Sequence, residues 1–175
     1  MYLRTKTRKN TSGRAYIYAY LAHIKQRKSH PKQKIIKYLG RVYKAERIDT
    51  KGPQITPSDT FTEMVTALIK TELENHGFKE TNLKILRKDD IEVNLNQTTV
   101  INSKKNKRAC LQLNQGILCD STLKNLMAYQ PPKEDMKRVG KHFAKTVVEA
   151  GIQASQPIII EIFKKLQTMI NNKQQ

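Results

Sequence analysis

The stretch "RAYIYAYLAHIKQRKSHPKQKIIKYLGRV", Arg14 to Val42, decides how this chain begins. From Arg14 to Leu21 it alternates strictly. Tyr16, Tyr18 and Tyr20 fall on one side and Ile17, Ala19 and Leu21 on the other, the period of two that a strand requires. Lys34 to Val42 is a second strand-like run, with Gly40 marking a bend within or after it. The two runs read as a β-hairpin. About ten residues connect them, too many for a tight two-residue turn. That connection is strongly basic: Lys25, Arg27, Lys28 and Lys32 surround His30 and Pro31. Ser12-Gly13 supplies a turn ahead of the first strand.

The charge extends well beyond this segment. The 175 residues hold 33 Lys and Arg against 15 Asp and Glu, a net of +18. Residues 1–50 carry 14 basic and 2 acidic side chains, residues 51–100 carry 6 and 8, and residues 101–175 carry 13 and 5. The local net charges are therefore +12, −2 and +8. A basic head before a nearly neutral middle points to a polyanion-contacting end, with nucleic acid ahead of an anionic membrane surface. An apolar content of 38% allows a core of modest size.

Outward from the hairpin, "DTKGPQITPSD", Asp49 to Asp59, reads as a linker rich in prolines and small polar residues. Thr60-x-x-Glu63 then forms a capping box. Phe61, Met64, Val65, Leu68, Ile69 and Leu73 make one helical stripe, and Gly77 is placed to end the helix. Short strands are expected over Asn82–Arg87, Ile91–Leu95, Thr98–Asn102 and Arg108–Asn114, with turn chemistry at Lys88-Asp89-Asp90 and Ser103–Lys107. Three helices follow. They cover Thr122–Tyr129, capped by Asp120 or Ser121, then about Lys133 to Ala150, then about Gln156 to Ile170, capped by Ser155. The fold class is α+β. It divides into a basic hairpin module over 1–48, a linker over 49–59 and an α+β body over 60–175, and residues 50–175 are expected to fold without the head.

A two-stranded ribbon with a cationic end can enter a groove or lie along a phosphate backbone. The charges for that role are Arg4, Lys6, Arg8, Lys9, Arg14, Lys25, Arg27, Lys28, Lys32, Lys34, Lys37 and Arg41. Tyr16 and Tyr18 can stack on bases or bond phosphates. The competing reading has the tyrosines packing the hairpin onto the helices and the lysines protecting a sheet edge.

The segment Gln33-Lys34-Ile35-Ile36-Lys37-Tyr38-Leu39-Gly40, preceded by the tyrosine-rich strand and the basic stretch, resembles the N-terminal segment of DDE-type insertion-sequence transposases. The resemblance covers residues 1–45. It implies DNA binding by the head without strand transfer, since the remaining residues are too few for that family's RNase H-like catalytic domain and its metal-binding acidic residues.

Other motifs give little chemistry. Cys110 and Cys119 have no second cysteine pair, and His23, His30, His76 and His142 are scattered, so no zinc site is expected. The glycines form no phosphate-cradling loop. Asp89-Asp90 reads as a turn. "FAKTVVEAGIQASQPIIIEIF" has the outline of a helix-turn-helix, but Pro157 and Ile158-Ile159-Ile160 sit where a recognition helix needs polar residues, so core packing or a partner interface is expected instead. No catalytic residue, cofactor or metal is expected. The opening "MYLRTKTRKN" lacks the apolar run of a signal peptide, as expected of a cytoplasmic protein on the nucleoid or ribosome. The expected partner is nucleic acid, with DNA favoured and RNA or rRNA the alternative. A protein-interaction module, self-associating through its C-terminal helices, is a third reading.

Overall fold

The computed structural model describes residues 1–25, 32–56, 58–130 and 136–171. The hairpin forms, within a larger sheet. Strands β1 (Tyr2–Lys9), β2 (Ala15–Lys25) and β3 (Lys32–Lys44) are antiparallel neighbours, so the head is a three-stranded ribbon. β1 was not foreseen, because apolar and polar residues do not alternate along it. Asn10 builds the β1–β2 turn by accepting from the Ser12 hydroxyl and the Arg14 N–H, both at 2.8 Å.

Helix α1 (Phe61–Asn75) starts and ends where its sequence places it. Thr60 and Glu63 close the capping box reciprocally, and all six stripe residues are buried. At its end the Phe78 N–H donates to the Leu73 carbonyl (3.0 Å) and the Gly77 N–H to Glu74 (2.8 Å), the paired bonds of a Schellman motif.

The middle of the chain is a meander of six short strands: β4 (Lys79–Asn82), β5 (Ile85–Lys88), β6 (Ile91–Asn94), β7 (Thr99–Asn102), β8 (Lys107–Leu113) and β9 (Gly116–Leu118). The single strand expected over Asn82–Arg87 is two strands. Lys84 sits between them at φ 65°, its N–H held by Glu80 Oε1 at 2.9 Å. Asp89 occupies the β5–β6 turn at φ 51°, which is the turn chemistry expected of it.

Three helices complete the fold: α2 (Asp120–Met127), α3 (Met136–Glu149) and α4 (Gln156–Asn171). α2 is capped by Cys119 rather than by Asp120 or Ser121. The Cys119 N–H donates to Thr122 Oγ1 (2.9 Å), while the Asp120 carboxylate is already engaged by the Val100 N–H (2.8 Å). The expected start of α3 near Lys133 lies outside the described residues. In α4, Ile162 and Leu166 are fully buried and Ile158, Ile159 and Phe163 pack against the core. Of the isoleucine run, Ile158 and Ile159 thus serve packing, while Ile160 is exposed. No described helix is long and apolar enough to cross a membrane.

The sheet order is β1-β2-β3-β8-β7-β6-β5-β4, with β9 also on β8. Arg41 to Lys44 of β3 pair in parallel with Ala109 to Gln112 of β8. The boundary read near residue 48 therefore follows a strand shared by head and body. Among its described residues the stretch read as a linker has no helix or strand, but its start is strapped to the end of α1. Asn75 exchanges hydrogen bonds with the Lys51 backbone (3.0 and 2.9 Å), and its carbonyl accepts from Ile48 and Asp49.

β3 meets β8 as its second neighbour just after Gly40, from Arg41 on. The φ of Gly40 is 145°, and a Cβ there would lie 2.7 Å from the Arg108 carbonyl oxygen. Gly40→Ala combines strain at positive φ with a backbone clash on β8. It should cost about 1–3 kcal/mol, seen as a fall in Tm of about 2–4 °C per kcal/mol for a chain of this size. An unchanged melting curve would mean that β3 and β8 are not in contact there.

Candidate nucleic-acid interface

Residues directly opposite in an antiparallel pair share a face, so the register sorts the ribbon's side chains. Arg4, Lys6 and Arg8 of β1 lie opposite Tyr20, Tyr18 and Tyr16 of β2. Across β2, Tyr18 faces Arg41 and Tyr20 faces Tyr38 of β3. One face therefore carries a column of tyrosines between a column of cations on β1 and Arg41 on β3. Two irregularities make this alignment: the register shifts between Ala19 and Tyr20 and between Leu21 and Ala22. Each leaves one residue of β3 unpaired, Leu39 and Ile36, and returns the next side chains to the aromatic face.

The groups on this face are in contact. The Arg41 guanidinium lies 3.9 Å from the Tyr16 ring centroid and 5.1 Å from that of Tyr43, and the Lys6 ammonium lies 5.9 Å from that of Tyr20. Tyr38 stands 6.2 Å from Tyr18 and 5.6 Å from Tyr20, centroid to centroid, tilted by 47° and 57°. Cation–π contact holds the charged heads over the rings without neutralising them. Partial burial raises the pKa of the Tyr38 phenol, with smaller contributions from Tyr18 and Tyr20, so it stays neutral and adds no negative charge. No acidic side chain precedes Glu46.

The opposite face is different. Near the body it is apolar: Ala19, Leu39 and Val42 pack with Cys110 and Cys119, and Leu3, Leu21 and Ile117 close over them. The thiols are free and buried. Cys110 donates to Cys119, which pushes the Cys110 pKa up and lowers that of Cys119 to about 6, helped by the Thr122 and Ser121 backbone N–H groups at the start of α2. Toward its far end this face carries charge.

The structure thus divides the expected contact residues. Arg4, Lys6, Arg8, Tyr16, Tyr18 and Arg41 come together on the aromatic face. Lys9, Lys32, Lys34 and Lys37 pair with odd-numbered residues of β2 and lie on the other. Arg14 is exposed at the β1–β2 turn, and Lys25 ends β2 opposite Lys32. Arg27 and Lys28, expected to clamp a backbone from the hairpin tip, lie outside the described residues. Tyr20 and Tyr38 join the face without having been read as contact residues. The signal for Tyr20 was the alternation itself; for Tyr38 it lay in an unpaired Leu39, which no sequence pattern marks.

The body holds a second cluster of titratable groups, around Glu72. This carboxylate is 2% exposed and His76 1%. Glu72 Oε1 accepts from Arg47 Nη1 (3.0 Å) and Asn114 Nδ2 (2.6 Å), and His76 Nε2 lies 3.1 Å away. His76 Nδ1 meets the Ala45 carbonyl at 2.9 Å, and Arg47 also donates to Gln153 (2.5 Å). Glu72 and His76 are nearly sealed from solvent, Arg47 and Asn114 are half-buried at their side and Gln153 is exposed, an arrangement suited to holding segments together. Among the described residues no set of three or more His, Cys, Asp or Glu is placed to hold a metal ion. Comparison of the chain with family models, curated proteins and solved structures finds no match.

Proposed function

We propose that this chain is a non-catalytic nucleic-acid-binding protein that contacts DNA through the aromatic face of its N-terminal ribbon. The observation that carries this reading is the register: it sets Arg4, Lys6 and Arg8 beside Tyr20, Tyr18 and Tyr16, and Arg41 on their other side. Cations at strand spacing can follow phosphates, and rings between them can meet bases or sugars. A solvated edge would need the lysines alone, and a packed edge would bury the rings under the helices. Instead Tyr16, Tyr18 and Tyr38 keep part of their surface in solvent. DNA is favoured over RNA by the resemblance of residues 1–45 to the opening segment of DDE-type transposases. Self-association through the C-terminal helices has less to work with, because Ile160 alone of the Ile158–Phe163 apolar run is exposed.

The test is the salt dependence of binding to duplex DNA. Five to eight phosphate contacts, each contributing about 0.9, give a slope of roughly −4 to −7 in log K against log salt between about 50 and 200 mM. A slope near zero, or no binding at the lowest salt, contradicts the proposal. Competition with a structured RNA at one salt concentration decides between the two nucleic acids.

A further inference from the structure

Arg8, Tyr18, Tyr20 and Tyr38 enclose a shallow, open cup of about 390 Å³ on the aromatic face. That lies at the small end of the ~300–1,000 Å³ of sites that take whole small ligands. The cup is aromatic on three sides, and its rings are not closed against one another. Tyr20 forms the floor at 8% exposure, while Tyr38 is 48% exposed and leaves half its surface to solvent. The tilts of 47° and 57° make a wedge, in which a planar group can lie on one ring with its edges toward the others.

Two ligand chemistries fit a three-tyrosine cup, a quaternary or methylated ammonium and a nucleobase. The surroundings separate them. Arg8 lines the cup, Lys6 lies over Tyr20 and Arg41 stands across from Tyr18, so a cationic ligand would meet three like charges. A neutral base joined to anionic phosphates meets complementary groups at every point: a ring for its face and a row of cations for its backbone.

We propose that this cup takes an unstacked base of single-stranded DNA, with the flanking phosphates on the β1 cations. This deepens the nucleic-acid reading above and rests on it. In a duplex the bases are stacked and paired, and a ring can reach one only if it is first unstacked. A single strand offers its bases freely, and aromatic stacking on them tolerates any sequence.

The experiment compares a short single-stranded DNA with the duplex of the same sequence at one salt concentration, for the full chain and for Tyr38→Leu and Tyr38→Phe. Leucine keeps apolar bulk on an exposed strand position and removes the ring; phenylalanine keeps the ring. The single strand should bind about 10- to 100-fold more tightly than the duplex once phosphate contacts are matched, the range expected of one stacked base. Tyr38→Leu should lose that preference and Tyr38→Phe should keep it. A second readout is intrinsic fluorescence: the chain has no tryptophan, and six of its seven tyrosines lie in residues 1–43, so stacking should quench the emission. Equal affinity for both DNAs, with Tyr38→Leu behaving as wild type, overturns the cup while leaving nucleic-acid binding intact. Absence of binding to either DNA removes both readings. Should Tyr38→Leu melt early, wild-type emission decides: no quenching on saturation with the single strand overturns the cup.

Discussion

Replacing Glu72 with alanine should destabilise the protein by about 3–5 kcal/mol, the range seen when one partner of a buried charge pair is removed. The carboxylate is nearly sealed from water and serves Arg47, Asn114 and His76 at once. Those groups belong to different parts of the chain. Arg47 follows β3 and reaches Gln153 before α4, His76 ends α1 and holds the Ala45 carbonyl, and Asn114 forms the β8–β9 turn and reaches the Gly151 carbonyl at 2.7 Å. Without the acceptor, His76 is left buried with Nε2 unpartnered, and half-buried Arg47 and Asn114 each lose one hydrogen bond. The loss is larger than any single deletion on the ribbon surface should produce. Tm should fall by roughly 6–20 °C, and Glu72→Gln, which keeps the shape and one acceptor oxygen, should lose less. A loss below about 1 kcal/mol, the level of an exposed ion pair, would show that water already screens the cluster.

The second large effect concerns binding. Replacing Arg4, Lys6, Arg8 and Arg41 together with alanine removes four cations from one face of the ribbon. If each meets one phosphate of a duplex, the salt slope should fall by about 3.6, and affinity at about 0.1 M salt should drop on the order of 10³-fold. The control is Lys9, Lys32, Lys34 and Lys37, an equal charge on the opposite face. Their replacement lowers the long-range attraction but removes no direct contact, so the slope should change much less. Equal effects from both sets would mean that the ribbon acts as a diffuse cation with no binding face. Melting curves for both variants separate lost contacts from lost structure, which matters most for Arg41 on its Tyr16 ring.

How much of this could be read beforehand depended on whether one residue's chemistry or a partner's position carried the signal. Helix α1 was legible end to end, because Thr60, Glu63, the apolar stripe and Gly77 act locally. So was β2, since Tyr16, Tyr18 and Tyr20 alternate with Ile17, Ala19 and Leu21. β1 was not legible: beyond Tyr2 and Leu3 its two faces, Arg4-Lys6-Arg8 and Thr5-Thr7-Lys9, are both polar, and only pairing with β2 gives it a strand's shape. The split between β4 and β5 depends on Lys84 adopting positive φ with Glu80 as its partner, which no glycine announces. At the candidate interface the cations and two of the tyrosines were named from composition. Their division between faces was not, because it depends on the unpaired Leu39 and Ile36 of β3. A period of two carried through Lys34–Val42 without those irregularities would place Tyr38 and Arg41 on opposite faces.

The most direct measurement is a residue-by-residue map of NMR shift changes as a short single-stranded DNA is titrated into the chain, which at 20.2 kDa is within reach. Binding through the aromatic face requires the largest changes at Arg4, Lys6, Arg8, Tyr16, Tyr18, Tyr20, Tyr38 and Arg41, with α3 and α4 nearly unmoved. Changes centred on exposed cations of the body, such as Lys104 and Lys105 in the β7–β8 turn and Lys107 at the start of β8, with a silent ribbon, would contradict it.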